Sequence, residues 1–240
     1  MAYKVKVNYA HRSNYGNKRS LSDIDWLVYH YTANDGDSDE GNGNYFHNNP
    51  NRWASAHYFV DDDSVTKSVP QNYIAWHCGS ETGSYFNACR NANSVGIEMC
   101  DTKKNGKHDL STKTRANAIA LGRAIVKKRG LPQSKVCRHY DVTHKSCPAF
   151  FVGAGANNTA WKAFRAEIYK GFAIGGTYKC VSTVKVRTAP GSNHFTGAKV
   201  KDGSKIVVKD TKYSAKGNLY IKIGDKQWVL AWTPDKTYFK

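Results

Sequence analysis

The sequence of 240 residues predicts an α/β domain followed by a small all-β module. Three observations carry this. Buried-strand patterns alternate with helical periodicity through the first two-thirds of the chain. After FAIGG the texture changes to short alternating segments divided by APGSN, KDGS, AKGN and GDK, the punctuation of an all-β unit. The apolar content of 40%, with 12% aromatics and no run of 18 apolar residues, is that of a globular chain that inserts in no bilayer.

The elements follow in order. IDWLVYHYT reads as a buried strand with Trp26, Val28 and His30 on one face and Leu27, Tyr29 and Tyr31 on the other, so His30 sits at its C-terminal end. NDGDSDEGNGNYFHNNPN is polar and glycine-rich and reads as a surface loop with one helical turn at NYFHN. AHYFV, the turn DDDS and VTKSV form a hairpin, and the long loop through IAWHCGSETGSYFNACRNAN has the length of a binding loop. In SVGIEMC, Val95, Ile97 and Met99 point one way and Gly96, Glu98 and Cys100 the other, which leaves Glu98 mid-strand among apolar neighbours.

A helix starts at Ser111 or Thr112 and runs through TKTRANAIALGRAIVKKRG. Ala118, Leu121, Gly122 and Ile125 share one face, the last turn is basic, and Gly130 with Pro132 ends it. A second helix at NTAWKAFRAEIYKG carries the apolar stripe Trp161, Phe164 and Ile168 and stops at Gly171. The strands of the β module are YKCVSTVKVRT, KIVVKDT, LYIKIG and QWVLAW, and the boundary lies near residues 172–177, giving domains 1–172 and 177–240.

The net charge of +17 calls for a polyanionic partner, and residues 177–240 hold 13 Lys and Arg against 4 Asp and Glu. Nucleic acid is set aside, because the chain has no helix-turn-helix, zinc-finger spacing or aromatic RNA-binding signature. The N-terminal segment MAYKVKVNYAHRSNYGNKRS lacks the apolar core of a secretion signal, so a cytoplasmic place of synthesis and reduced thiols at the six cysteines are expected.

The chemistry concentrates in VCRHYDVTHKSCPAF. A catalytic zinc takes three protein ligands and keeps a fourth position for water. His139 and Cys147 offer two ligands from one loop, and His30 at a strand end offers a third. Taken singly, each has a plain alternative, a hydrogen-bonded core histidine or a buried cysteine. Only a fold that brings the loop beside the strand end makes them a site.

His30 in VYHYT, Glu98 in SVGIEMC and the string His139, Lys145, Cys147, Pro148 together resemble the type 2 N-acetylmuramoyl-L-alanine amidase family, which includes phage endolysins and peptidoglycan recognition proteins. WHCG and SAHYFVDD are also similar to it, and the likeness spans roughly residues 20 to 170. The resemblance implies a mixed central β-sheet flanked by helices, a Zn2+ held by His30, His139 and Cys147, Glu98 as the proton-transferring base and Lys145 facing the oxyanion. Burial should raise the pKa of Glu98. Some members carry a catalytic tyrosine where this chain has Ala56, which leaves the proton transfer to Glu98. His57 and His77 are assigned to the substrate pocket, with packing or solvent exposure as the competing reading. His144 reads as a surface residue, and Cys78, Cys89, Cys100, Cys137 and Cys180 receive no role.

VKVRTAPGSN with KDGSKIVV, LYIKI and WV resembles the bacterial SH3-like cell-wall-binding barrel. Tyr178, Tyr220, Trp228, Trp232 and Tyr238 supply its aromatics, Trp228 as a core residue. The expected substrate is bacterial peptidoglycan, with anionic wall polymers as further partners of the basic module. The expected enzyme is an endolysin made in the host cytoplasm and released to the wall. A non-catalytic peptidoglycan receptor on the same fold is the alternative, disfavoured by the intact trio with Glu98 and Lys145.

Overall fold

A computed structural model describes residues 3–153 and 158–240. Two compact units make up the chain: Met1–Gly122 with Val136–Trp161, and Arg123–Lys135 with Lys162–Lys240.

The first unit is built on a six-stranded sheet of β1 (Lys4–Val7), β2 (Trp26–Tyr31), β3 (Tyr58–Val60), β4 (Ser64–Lys67), β5 (Ser94–Met99) and β6 (Val136–Arg138), in the spatial order β1-β4-β3-β5-β2-β6. Only the β3–β4 hairpin is antiparallel and the other pairs are parallel, so the sheet is mixed. The hairpin turns at Asp61, whose Oδ1 accepts the N–H groups of Asp63 and Ser64, both at 2.9 Å.

The interior strands β2 and β5 are almost wholly buried, and their alternation divides the unit into two faces. On one face the Tyr29 hydroxyl donates to Ala118 O at 3.0 Å, within helix α2 (Thr112–Arg129), and the Tyr29 ring meets Trp161 edge-on at 5.9 Å. On the other, Trp26 and Val28 pack with Cys78, Cys89, Cys137 and Val142. The long loop between β4 and β5 is thus the lid of a core layer, and His30 emerges at the end of that layer.

Helix α1 (Asp39–Asn48) corrects the expectation of a loop with a single turn. Its N-cap Ser38 accepts from Gly41 N–H, and Asp39 and Glu40 occupy the positive first turn. Two internal glycines hide the helix from propensity, but one has a reason: a Cβ on Gly43 would lie 2.7 Å from Thr66 Cγ2 on β4. Phe46 stacks on Phe59 at 5.6 Å. Tertiary packing, rather than helix propensity, holds α1.

Helix α2 starts at Thr112 as expected, and Ala118, Leu121 and Ile125 are buried. Helix α4 (Thr159–Ile168) buries Trp161, Phe164 and Ile168. Strands β1 and β6 have no counterpart in the expected elements, and β6 leads directly into the five-residue helix α3 (His139–Thr143).

The second unit carries a five-stranded antiparallel sheet of β7 (Val184–Arg187), β8 (Phe195–Val200), β9 (Asp210–Tyr213), β10 (Leu219–Gly224) and β11 (Gln227–Trp232), in the order β8-β7-β11-β10-β9, plus a pair formed by Thr177–Lys179 and Lys205–Val207. Strand β8, FTGAKV in sequence, is an addition to the expected set. Val186, Leu219, Ile221 and Val229 form its interior with Tyr213. Within this unit Tyr213 donates to Ile168 O at 3.1 Å, and Gln133 donates to Thr211 Oγ1 at 3.0 Å. Tyr220 is buried, and Tyr178, Trp228, Trp232 and Tyr238 are half-buried. Phe195 is the exposed aromatic of this sheet.

Candidate metal centre

Strand β2 ends beside strand β5 in parallel register, His30 opposite Glu98. Register partners in a parallel sheet project to the same face, so the imidazole and the carboxyl share one side of the sheet. Strand β6 flanks β2 on its other edge, with Arg138 opposite Tyr29, and His139 follows at the first position of α3. The loop after α3 returns because His144 adopts a left-handed conformation at φ 60°, its N–H donating to Tyr140 O. Tyr140 N–H then donates to Cys147 O at 2.9 Å, which ties the cysteine back to the helix. A buried Arg138 anchors the assembly through Asp141 at 2.6 Å and through Phe151 O.

This folding brings one ligand atom each of His30, His139 and Cys147 within 4.8 Å of one another, all three residues buried. Cys147 Sγ lies 3.7 Å from His30 Nδ1, and the two imidazoles meet at 4.9 Å between ring centroids. Burial is the main cause that pushes His30 well below the ordinary imidazole value and His139 down to about 4. Both rings are therefore neutral at neutral pH and hold a free lone pair. Burial and the nearby Glu98 push the Cys147 thiol up. Two neutral imidazoles and a thiol that a cation would deprotonate suit a divalent transition metal of borderline softness.

Glu98 has its pKa pushed up to about 8, first by burial, then by Asp37 and Asp101, with Lys145 opposing. Its Oε2 is buried without a hydrogen-bond partner. Lys145 extends from the loop after α3 and pairs with Glu81 at 3.3 Å, both side chains largely exposed. A cleft of about 320 Å³ is lined by His30, His77, Glu98, His139, Lys145 and Cys147 together with Trp76 and Ala56. A second hollow of about 600 Å³ adjoins it along Tyr31, Phe59 and Glu98 and runs to Asp37, Asn42 and Tyr45.

All the residues expected to hold metal or move protons thus meet at one cleft. His77 lines it as well. His57 is fully buried, with Gly96 N–H donating to its Nδ1 at 3.0 Å and its Nε2 within 3.2 Å of Tyr73 O, so it offers no surface to a ligand. His144 is exposed and stacks on Phe86. The six cysteines are free thiols. Trp53, to which the sequence pattern gave no part, is 75% exposed at φ 54° and stacks on Trp76 of the cleft wall at 5.7 Å. A tryptophan in a polar loop was the only signal for it.

The family described as N-acetylmuramoyl-L-alanine amidase matches residues 20–150, a span that contains every residue of this cleft. The chain belongs to that family, of type 2. Among its relatives, the N-acetylmuramoyl-L-alanine amidase CwlL of Bacillus licheniformis is 33% identical over 165 residues, 66% of this chain and 44% of CwlL. The chain therefore spans less than half of that relative. The amidase CwlA of Bacillus subtilis strain 168 is 29% identical over 240 residues, covering 98% of this chain and 83% of CwlA. A solved structure described as a mutant endolysin from Bacillus subtilis superposes with a TM-score of 0.56 at 25% identity, covering 70% of this chain and 99% of its own.

Proposed function

We propose that the chain is a zinc-dependent N-acetylmuramoyl-L-alanine amidase that hydrolyses the amide bond between N-acetylmuramic acid and L-alanine of bacterial peptidoglycan, serving as a phage or prophage endolysin. The observation that carries this reading is the convergence of two neutral imidazoles and a thiol within 4.8 Å, beside a carboxyl whose Oε2 is buried and unpartnered. The amidase relatives and the endolysin structure support the substrate and the role.

His30, His139 and Cys147 would hold a zinc ion, which when bound would supply Lewis acidity toward the scissile carbonyl and toward the attacking water. Glu98, beside His30, takes the proton of the attacking water and delivers it to the leaving nitrogen of L-alanine. Burial works against the negative charge of this carboxyl, and a carboxyl raised from the ordinary range is suited to returning a proton as well as taking one. Lys145, at the cleft edge, turns its amine toward the charge that develops on the carbonyl oxygen, a donor role worth about 3–4 kcal/mol. Its exposed pair with Glu81 opposes that movement only weakly. The stacked Trp53 and Trp76 offer a flat apolar face for a sugar ring at the cleft wall.

On this reading residues 1–172 carry catalysis, and residues 177–240 form an SH3-like barrel that grips wall peptide or anionic wall polymer. The antiparallel five-stranded sheet and the excess of 13 basic over 4 acidic residues support the second part. The enzyme is made in the host cytoplasm and reaches the wall once the membrane is opened. No helix among the described residues is long and apolar enough to cross a membrane.

Digestion of purified cell wall tests the reaction. Stem peptides with new L-alanine amino ends, released from intact glycan strands and lost on chelation, are the expected products. New reducing sugars would replace the amidase with a glycosidase, and wall binding without cleavage would make the protein a receptor.

A further inference from the structure

The segment Trp76–Gly79, WHCG in sequence, sits against both imidazoles of the centre. A chain of hydrogen bonds runs through it whose direction can be read from its fixed end. The Ser94 hydroxyl lies 2.6 Å from Arg90 O, and a carbonyl can only accept, so the hydroxyl proton is committed there. Ser94 Oγ, 3.1 Å from His77 Nε2, therefore accepts, and His77 carries its proton on Nε2. That leaves His77 Nδ1 bare. It lies 3.0 Å from His30 Nε2, which must donate. His30 is thereby held with Nδ1 unprotonated, and Nδ1 is the nitrogen that faces Cys147 Sγ.

The second imidazole obeys the same rule two residues further on. His139 Nε2 lies 3.3 Å from Gly79 O, again an obligate acceptor, so its proton sits on Nε2 and its Nδ1 is bare. The segment itself is clamped. Asn91 Oδ1 accepts from His77 N–H at 3.0 Å and from Cys78 N–H at 2.8 Å. The His77 ring lies flat against β5 only because residue 96 is glycine: a Cβ there would approach the ring to 2.6 Å.

We infer that His77, set by Ser94 and seated on Gly96, is a positioning residue for the metal centre, and that with Gly79 O it presets the tautomers of both imidazole ligands before metal arrives. Partners of this kind orient metal-ligating histidines and raise their basicity. Both nitrogens of His77 are engaged in the relay, so any contact it makes with substrate is left to the ring face. The inference rests on the metal reading of the cleft but not on the reaction proposed for it.

Two measurements test it without reference to catalysis. In a long-range proton–nitrogen correlation spectrum of the 15N-labelled, metal-free protein, His30 and His139 should each show a protonated Nε2 and a bare Nδ1. A protonated Nδ1 on His30 overturns the relay. In competition with a chelator, His77→Phe and Ser94→Ala should each weaken zinc binding by about 10–100-fold, the usual effect of losing an outer partner. His77→Asn, whose amide oxygen can stand where Nδ1 stood, should recover most of the loss.

If His77→Phe does not fold, as judged by circular dichroism and thermal unfolding, Ser94→Ala decides alone, since it leaves the ring in place and releases only the fixed end. Unchanged affinity with an unchanged His30 spectrum in Ser94→Ala overturns the inference. A protein that binds zinc tightly with the stated tautomers and yet fails to cut wall removes the proposed reaction and leaves the relay standing.

Discussion

His30 and Glu98 stand opposite each other on adjoining parallel strands, both projecting to the face covered by the loop between β4 and β5. The register makes the proposed metal ligand and the proposed proton carrier neighbours with no flexible segment between them, which would place the chemistry on rigid backbone.

That adjacency predicts separable roles. Glu98→Gln should retain zinc at wild-type stoichiometry and lower wall hydrolysis by about 10²–10⁴-fold, the range for loss of a general base. Metal analysis and turbidity loss of a bacterial suspension check both halves. Undiminished turnover would move the proton transfer elsewhere.

Glu98 also sets a stability trend. Its folded pKa, about 8, lies above the ordinary 4.5, so the folded metal-free protein binds more protons than the unfolded chain between these values. The contribution is full below about pH 4.5 and lost as pH rises through about 8. Urea titrations of the metal-free wild type should show this alkaline loss, and Glu98→Gln should lack it.

The buried histidines have the opposite sign. His139, with a folded value of about 4, and His30 and His57, lowered mainly by burial, stay neutral where the unfolded imidazoles protonate. Their contribution is full above about pH 6.5 and is lost as pH falls through the lowered folded values, that of His139 lying at about 4. Acidification across that window should lower the urea midpoint of the metal-free Glu98→Gln variant, which lacks the opposing carboxyl contribution; a midpoint that rises there would contradict the burial of these rings.

Cys147→Ala should lower zinc affinity by more than the roughly 10–100-fold of an outer-shell loss, with activity falling in step. Activity that survives at full strength in the metal-free variant would remove the thiol from the site.

Gly96→Ala tests the seat of His77. The added methyl would meet the ring at 2.6 Å, well inside van der Waals contact. A loss of about 1–3 kcal/mol in unfolding free energy is expected, the range for overpacking a core, together with weaker zinc binding.

Much of this was legible in the sequence because local rules and tertiary demands agree. Strands β2 and β5 are short runs buried at almost every residue, α2 and α4 carry apolar stripes with glycine stops, and the Asp61 turn announces its hairpin. The spacing of His139, Lys145 and Cys147, read with its family likeness, identified the residues that meet at the cleft. The elements missed are those without a local signature, among them β8, whose six residues FTGAKV include a glycine and are almost all exposed. Strands β1 and β6 and helix α3 span only three to five residues each, too few for a period to show. Helix α1 has two glycines that propensity counts against it, one of them there to let the helix approach β4.

By itself the amino-acid order determined the kinds of element, the apolar faces and the residue types able to hold a metal, since each depends on neighbours within a few positions. Tertiary structure alone decided which proton each imidazole carries, how high the Glu98 pKa stands, and that Arg123–Lys135 belong with the C-terminal strands. Those properties depend on groups far apart in the chain, such as Ser94 acting on His30 through His77, and on how much water the assembled core excludes.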